Sequence, residues 1–94
     1  MIEIKHRFTG AVICTGVDVL AAVQDAVKRG DSLAGAYLAG ANLAGASLAR
    51  ANLAGAILDG AILAGATLAR ATLDGATLDG ANLARASLAG ATLD

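Results

Sequence analysis

Apolar residues recur along most of this chain with a period of five. Leucine stands at every fifth position from Leu33 to Leu93, thirteen times without a gap, and from Ala36 to Ala91 an alanine stands two residues before each later leucine. Two residues after most leucines comes glycine, replaced by arginine at Arg50, Arg70 and Arg85. Such a repeat decides the fold before any local propensity does. An α-helix does not fit: five residues advance it by about 500°, a net turn of about 140°, so the leucines would scatter round the axis. A glycine in most units would also cost about 1 kcal/mol relative to alanine. A flat strand fails because side chains alternate at period two, and an odd spacing sends successive leucines to opposite faces. A chain that turns a corner once per unit does fit. Ala and Leu then point to one side of a short extended segment, and glycine takes the positive φ of a type II turn, Leu-Ala-Gly-Ala. Four such sides close a coil with every Ala and Leu inside. Thirteen units then make about three coils, roughly 15 Å tall.

The run from Ala41 to Gly45, Ala-Asn-Leu-Ala-Gly, repeated with arginine fifth from Ala81 to Arg85, resembles the pentapeptide repeat family and its A(N/D)LXX consensus. The resemblance covers all thirteen units. It implies a mainly β fold, a right-handed quadrilateral β-helix over residues 31–94. The residue before Leu departs from Asn or Asp in most units, with Ser, Thr, Tyr37, Ile57 and Ile62 in its place. That position faces outward, so the departures change the surface and leave the coil intact. Residues one coil apart should stack, Asp59 on Asp79, Asp74 on Asp94 and Arg50 on Arg70.

Residues 1–30 carry a different pattern. Ile2, Ile4, His6 and Phe8 alternate with Glu3, Lys5, Arg7 and Thr9, the period of a half-buried strand. A two-residue turn at Thr9-Gly10 would return the chain through Ala11 to Thr15, with Phe8 opposite Ala11, His6 opposite Ile13 and Ile4 opposite Thr15. Asp18 suits the N-cap of a helix running to about Arg29. Its apolar stripe is Val19, Leu20, Val23, Ala26 and Val27, and Gly30 suits the residue just past its end. Residues 1–30 therefore read as a short ββα cap, since a solenoid end exposes an unpaired strand edge and an open core.

Composition narrows the function classes. The net charge is −1, with no tryptophan, one tyrosine and one phenylalanine, so neither a basic stripe nor an aromatic platform suggests direct binding of nucleic acid. Charged residues, Gly and Asn interrupt every apolar run, so no membrane span is expected. The charged stretch Glu3 to Arg7 does not suit a signal peptide. Cys14 is the only cysteine, which fits a reducing compartment, and cytoplasm is the expected location.

No cofactor or catalytic constellation is apparent. His6 has no second histidine beside it and reads as a packed or edge residue. Cys14 reads as a small hydrophobe. The stacked aspartates offer too few oxygens for Ca²⁺, which needs six to eight, and Arg50 over Arg70 either holds an anion or splays into water. The glycines, five apart, form no phosphate loop.

The reading that follows is a non-enzymatic structural or interaction module, similar to the small pentapeptide repeat proteins of phage and bacterial type. The alternative is a DNA-mimicking modulator of a type II topoisomerase such as gyrase, as quinolone-resistance members of the family are. Charge weighs against it: residues 31–94 hold five Asp and three Arg, a net −2, whereas one turn of B-DNA carries about 20 charges. Two contact surfaces are expected. Leu78, Leu83, Leu88 and Leu93 line an end with nothing resembling a capping helix after it, which predicts a homodimer through the last coil. Tyr37, Ile57 and Ile62 form a small outward apolar patch for an unidentified protein partner.

Overall fold

A computed structural model describes residues 1–93. The elements are β1 (Ile2–Lys5), β2 (Val12–Gly16) and α1 (Val19–Lys28), followed by a coil of isolated parallel bridges. β1 and β2 pair antiparallel, with Ile4 opposite Cys14 and Lys5 opposite Val12, the register slipping between them.

This corrects the expected hairpin, in which Ile4 faced Thr15 and Phe8 lay on the apolar face. The turn is wider than two residues. Gly10, at φ 72°, donates its N–H to the His6 carbonyl (3.1 Å), and His6 Nδ1 accepts the N–H groups of Phe8 (3.1 Å) and Thr9 (3.3 Å). The imidazole thus organises the loop, and Phe8 is thrown outward, 79% exposed. The slip after Ile4 restores Ile4 and Cys14 to the core side.

Asp18 caps α1 by accepting the Ala21 N–H (2.7 Å). The other end closes through Gly30 at φ 78°, with Gly30 N–H on the Val27 carbonyl and Asp31 N–H on the Ala26 carbonyl. Ala22, Val23 and Ala26 are fully buried, while Val19, Leu20 and Val27 are only partly so. Ala22, absent from the expected stripe, packs on Gly16: a Cβ there would lie 2.6 Å from the Ala22 nitrogen, so only glycine lets strand and helix approach.

From Leu33 the chain returns over itself every twenty residues. Tyr37 bridges Ile57 and Ile57 bridges Thr77, and the same spacing joins Asn42 to Ile62 and Asn82, Ser47 to Thr67 and Ser87, and Asn52 to Thr72 and Thr92. Four turns separate these four sides. In each turn the Ala N–H closes on the carbonyl of the Leu three residues before, as Ala41 does on Leu38 (3.0 Å). The residue before that Ala has φ between 60° and 75° at every corner from Gly35 to Gly90. The alanines and leucines point inward, and Leu33 to Leu73 are at most 2% exposed.

The hydrogen-bond pattern leaves one donor and one acceptor per unit outside the ladders, the N–H of the residue after Leu and the carbonyl of the corner glycine. Asn42, Asn52 and Asn82 each accept that N–H, from Ala44 (3.2 Å), Ala54 (3.1 Å) and Ala84 (3.0 Å), and Ser32 does so for Ala34 (3.2 Å). The position before Leu, read from sequence as mere surface, is therefore also where a side chain caps the turn.

Candidate interaction surfaces

The regular coil displays its side chains as columns, each repeating once per coil, so the positions of charges follow from the repeat. The corner between the Tyr37 and Asn42 sides carries Asp59 and Asp79, joined by Asp79 N–H on Asp59 Oδ1 (3.2 Å), as stacking required. The next corner carries Arg85, and the one after it Arg50 and Arg70. The fourth corner, beside Gly75, carries Asp74. Acidic and basic corners therefore lie on opposite halves of the coil. None of these six residues has an ion-pair partner among the described residues; the ion pairs found, Lys5–Glu3, Arg29–Asp25 and Arg29–Asp31, all lie within residues 3–31.

The three corner arginines stand in the left-handed region, at φ 66°, 62° and 60°, where the other corners use glycine. A residue with a Cβ is disfavoured there by about 1–2 kcal/mol. The turn does not call for arginine, so the charges themselves are the distinctive choice at these positions. Arg70 reaches along its column: its Cγ would lie 3.2 Å from a Cβ placed on Gly90, one coil further on.

The Tyr37 side is partly occupied. Arg7 donates its backbone N–H to the Gly35 carbonyl (2.7 Å) and its Nη1 to the Gly55 carbonyl (2.9 Å), two of the outward acceptors, and its guanidinium lies 4.5 Å from the Phe8 ring. Tyr37 (54% exposed) and Ile62 (39%) are exposed on adjacent sides, and Ile57 between them is half-buried. Leu78, Leu83 and Leu88 are partly buried and Leu93 is 55% exposed, in contrast with the earlier leucines. Asp94, expected to stack on Asp74, lies outside the described residues.

His6 sits at the junction, its imidazole filling the space that a Gly35 Cβ would need, and Cys14 is buried, which pushes its thiol pKa up. Among the described residues no three His, Cys, Asp or Glu side chains are grouped to hold a metal ion. Among the described residues no helix is long and apolar enough to cross a membrane. A groove of about 420 Å³ between α1 and Ser47 is lined by Gln24, Asp25, Val27 and Lys28.

The sequence pattern defined as pentapeptide repeats matches residues 32–68 and 61–94. The chain belongs to the pentapeptide repeat family. Among solved structures, it is 45% identical to a pentapeptide repeat protein (Rfr23) from the cyanobacterium Cyanothece 51142, with a TM-score of 0.61, over 62% of this chain and 40% of that one. It is 38% identical to the pentapeptide repeat protein alr5209 from Nostoc PCC 7120 (TM-score 0.31; 62% of this chain, 56% of that one). It is 32% identical to HetL from Nostoc sp. strain PCC 7120, a pentapeptide repeat protein involved in heterocyst differentiation regulation (TM-score 0.25; 61% and 38%). The matches thus span 38–56% of those longer chains. No curated protein matches. As a pentapeptide repeat protein the chain forms a right-handed β-helix, and the parallel bridges twenty residues apart are its coils.

Proposed function

We propose that this pentapeptide repeat protein is a non-enzymatic interaction module, a quadrilateral coil over residues 31–94 whose first coil is covered by residues 1–30 and which pairs with a second copy of itself through the coil of Leu78, Leu83, Leu88 and Leu93. The observation that carries the reading is the burial of the leucine ladders. Leucines from Leu33 to Leu73 are shut away from solvent, whereas Leu78, Leu83 and Leu88 are only partly buried and Leu93 is 55% exposed. Among the described residues, the N–H groups of Leu78, Leu83 and Leu88 and the carbonyls of Ala76, Ala81 and Ala86 in the same coil have no ladder partner. Exposed apolar surface joined to an unpaired strand edge favours association. A two-fold contact covers both ends at once and closes. Light scattering after size exclusion of the 94-residue chain tests this: a dimer is expected at micromolar concentration, and Leu88→Glu with Leu93→Glu together should give a folded monomer. A dimer indifferent to that pair of substitutions refutes the interface.

Tyr37, Ile57 and Ile62 form a smaller patch suited to a protein partner, and the free, buried Cys14 suits a reducing compartment such as the cytoplasm. The DNA-mimic reading gains nothing from the charge layout, since Arg50, Arg70 and Arg85 interrupt any continuous acidic surface.

A further inference from the structure

We infer that the corner built on Arg50 and Arg70 takes an extended acidic peptide segment of a protein partner. The chain holds its own Arg7 in this way at the neighbouring corner of Gly35 and Gly55, with the charges exchanged. The inference rests on the interaction-module reading and not on the dimer, so the two can fail separately.

The molecule itself shows how a peptide lies against a corner. Each corner residue turns its carbonyl outward, away from the ladders. At Gly35 and Gly55 one segment fills both acceptors. The Arg7 backbone N–H reaches the Gly35 carbonyl (2.7 Å), and Arg7 Nη1 reaches the Gly55 carbonyl (2.9 Å). The coil's own charge at that corner is acidic, Asp74, and the segment beside it, Lys5 to Arg7, is basic.

At the corner of Arg50 and Arg70 the signs are reversed. The carbonyls of Arg50 and Arg70 and the N–H groups of Ala49 and Ala69 have no partner among the described residues. On the two adjoining sides Asn42, Asn52 and Asn82 accept the equivalent N–H groups, whereas Ser47, Thr67 and Ser87 make no such bond among the described residues. Three exposed arginines frame that serine and threonine side, Arg50 and Arg70 at one edge and Arg85 at the other. The coil's described carboxylates, Asp59, Asp74 and Asp79, stand at the two other corners. A groove of about 360 Å³ joins the end of α1 to Arg50, and the one carboxylate lining it, Asp31, is paired with Arg29 (3.1 Å).

This chemistry selects the class of partner. Guanidinium groups pair bidentately with carboxylates. Coils lie about 4.8 Å apart and alternate residues of a strand about 6.7 Å apart, a difference that two long arginine stems absorb. A peptide also brings both kinds of backbone group, carbonyls for the Ala49 and Ala69 N–H groups and N–H groups for the Arg50 and Arg70 carbonyls. A nucleic acid backbone offers phosphates to the donors and little to the carbonyls. Its bases would find no aromatic ring here, since Tyr37 stands on the opposite side of the coil. An anionic bilayer is held by apolar anchors as well as charge, and the Ser47, Thr67 and Ser87 side exposes no large apolar residue. Contact with such a segment also gives a use to arginines held at φ 66° and 62°, where glycine is unstrained.

Fluorescence anisotropy on the 94-residue chain tests this, with a fluorescein-labelled octapeptide alternating Glu and Ser as the probe. At low ionic strength it should bind saturably, and more weakly as salt rises. Arg50→Gly with Arg70→Gly should weaken binding about tenfold or more. That variant should melt no lower than the parent, because glycine relaxes the left-handed corner, so a lost fold cannot imitate a lost contact. Asp59→Asn, at the diagonal corner, should leave binding within about twofold. The octapeptide N-methylated at alternate amides should bind at least about threefold more weakly. No saturable binding, binding indifferent to the double glycine variant, or equal binding of the N-methylated peptide overturns the inference. So does an oligothymidylate or a phosphatidylserine vesicle that binds as tightly as the octapeptide and is released by the same variant, which would assign the corner to nucleic acid or membrane. None of these outcomes alters the light-scattering result on which the dimer stands.

Discussion

The first and last coils are built from the same five-residue unit and meet opposite fates. On the first coil, Tyr37 N–H reaches the Lys5 carbonyl (2.8 Å), Ser47 N–H reaches Gln24 Oε1 (2.8 Å), and His6 bridges Ala36 antiparallel. β1 thus lies along one side as an extra strand, and α1 covers the leucines beneath it. On the last coil nothing described does either job, and exposure climbs to 55% at Leu93. The contrast shows what a repeat can and cannot do. Each unit satisfies its neighbours one coil away, so stacking answers every demand along the sides. At an end the neighbour is missing, and what replaces it must be aperiodic: an imidazole, an arginine arm, a glutamine amide.

Three tests, with five substitutions among them, probe that contrast. The largest effect belongs to the middle of the coil. Leu63→Asp would bury a carboxylate between Leu43 and Leu83 and should abolish cooperative melting, since an uncompensated buried charge costs several kcal/mol. Leu93→Asp, at the exposed end, should cost the monomer under about 1 kcal/mol. Equal losses at the two sites would mean that Leu93 is buried as Leu63 is. The next effect is at the corner glycines. A Gly35 Cβ would strike the His6 ring and also carry the left-handed penalty, whereas at Gly80 nothing lies within 4 Å. Gly35→Ala should therefore cost about 2–3 kcal/mol and open the cap to proteolysis, against about 1 kcal/mol for Gly80→Ala. Matching denaturation midpoints for the two variants would show that His6 does not seal the first coil. The smallest effect is Gln24→Ala, which removes one hydrogen bond and should cost about 1 kcal/mol, read as faster amide exchange at Ser47. Unchanged exchange there would exclude this contact as a seal.

The coil was legible from sequence because a single rule governs it. An inward Leu at every fifth position fixes the corners, the stacking partners and the column of each charge, and the Asp59–Asp79 hydrogen bond appears where that arithmetic puts it. The aperiodic segment was less legible. The helix and its Asp18 cap could be read because their signals are local. The hairpin register could not, because a side chain, His6, holds the loop, and the slip after Ile4 breaks the alternation used to read it. Ala22 was missed for a related reason: its burial depends on the absence of a side chain at Gly16, a feature of another element. The corner charges could be placed in columns from sequence, but the strain at Arg50, Arg70 and Arg85 and the reach of Arg70 along Gly90 required coordinates.

The coil also limits how the chain can change in length. Adding or deleting one five-residue unit keeps every Leu facing inward, so the interior barely registers it. Everything downstream, however, rotates by one side. Such a change between Arg50 and Arg70 would part the column they share, and one between Asp59 and Asp79 would unstack that pair. Only a whole coil of twenty residues can be gained or lost without rearranging the outside. The core counts in fives and the surface in twenties, so a protein of this build can lengthen freely by the first measure yet preserve what it binds only by the second.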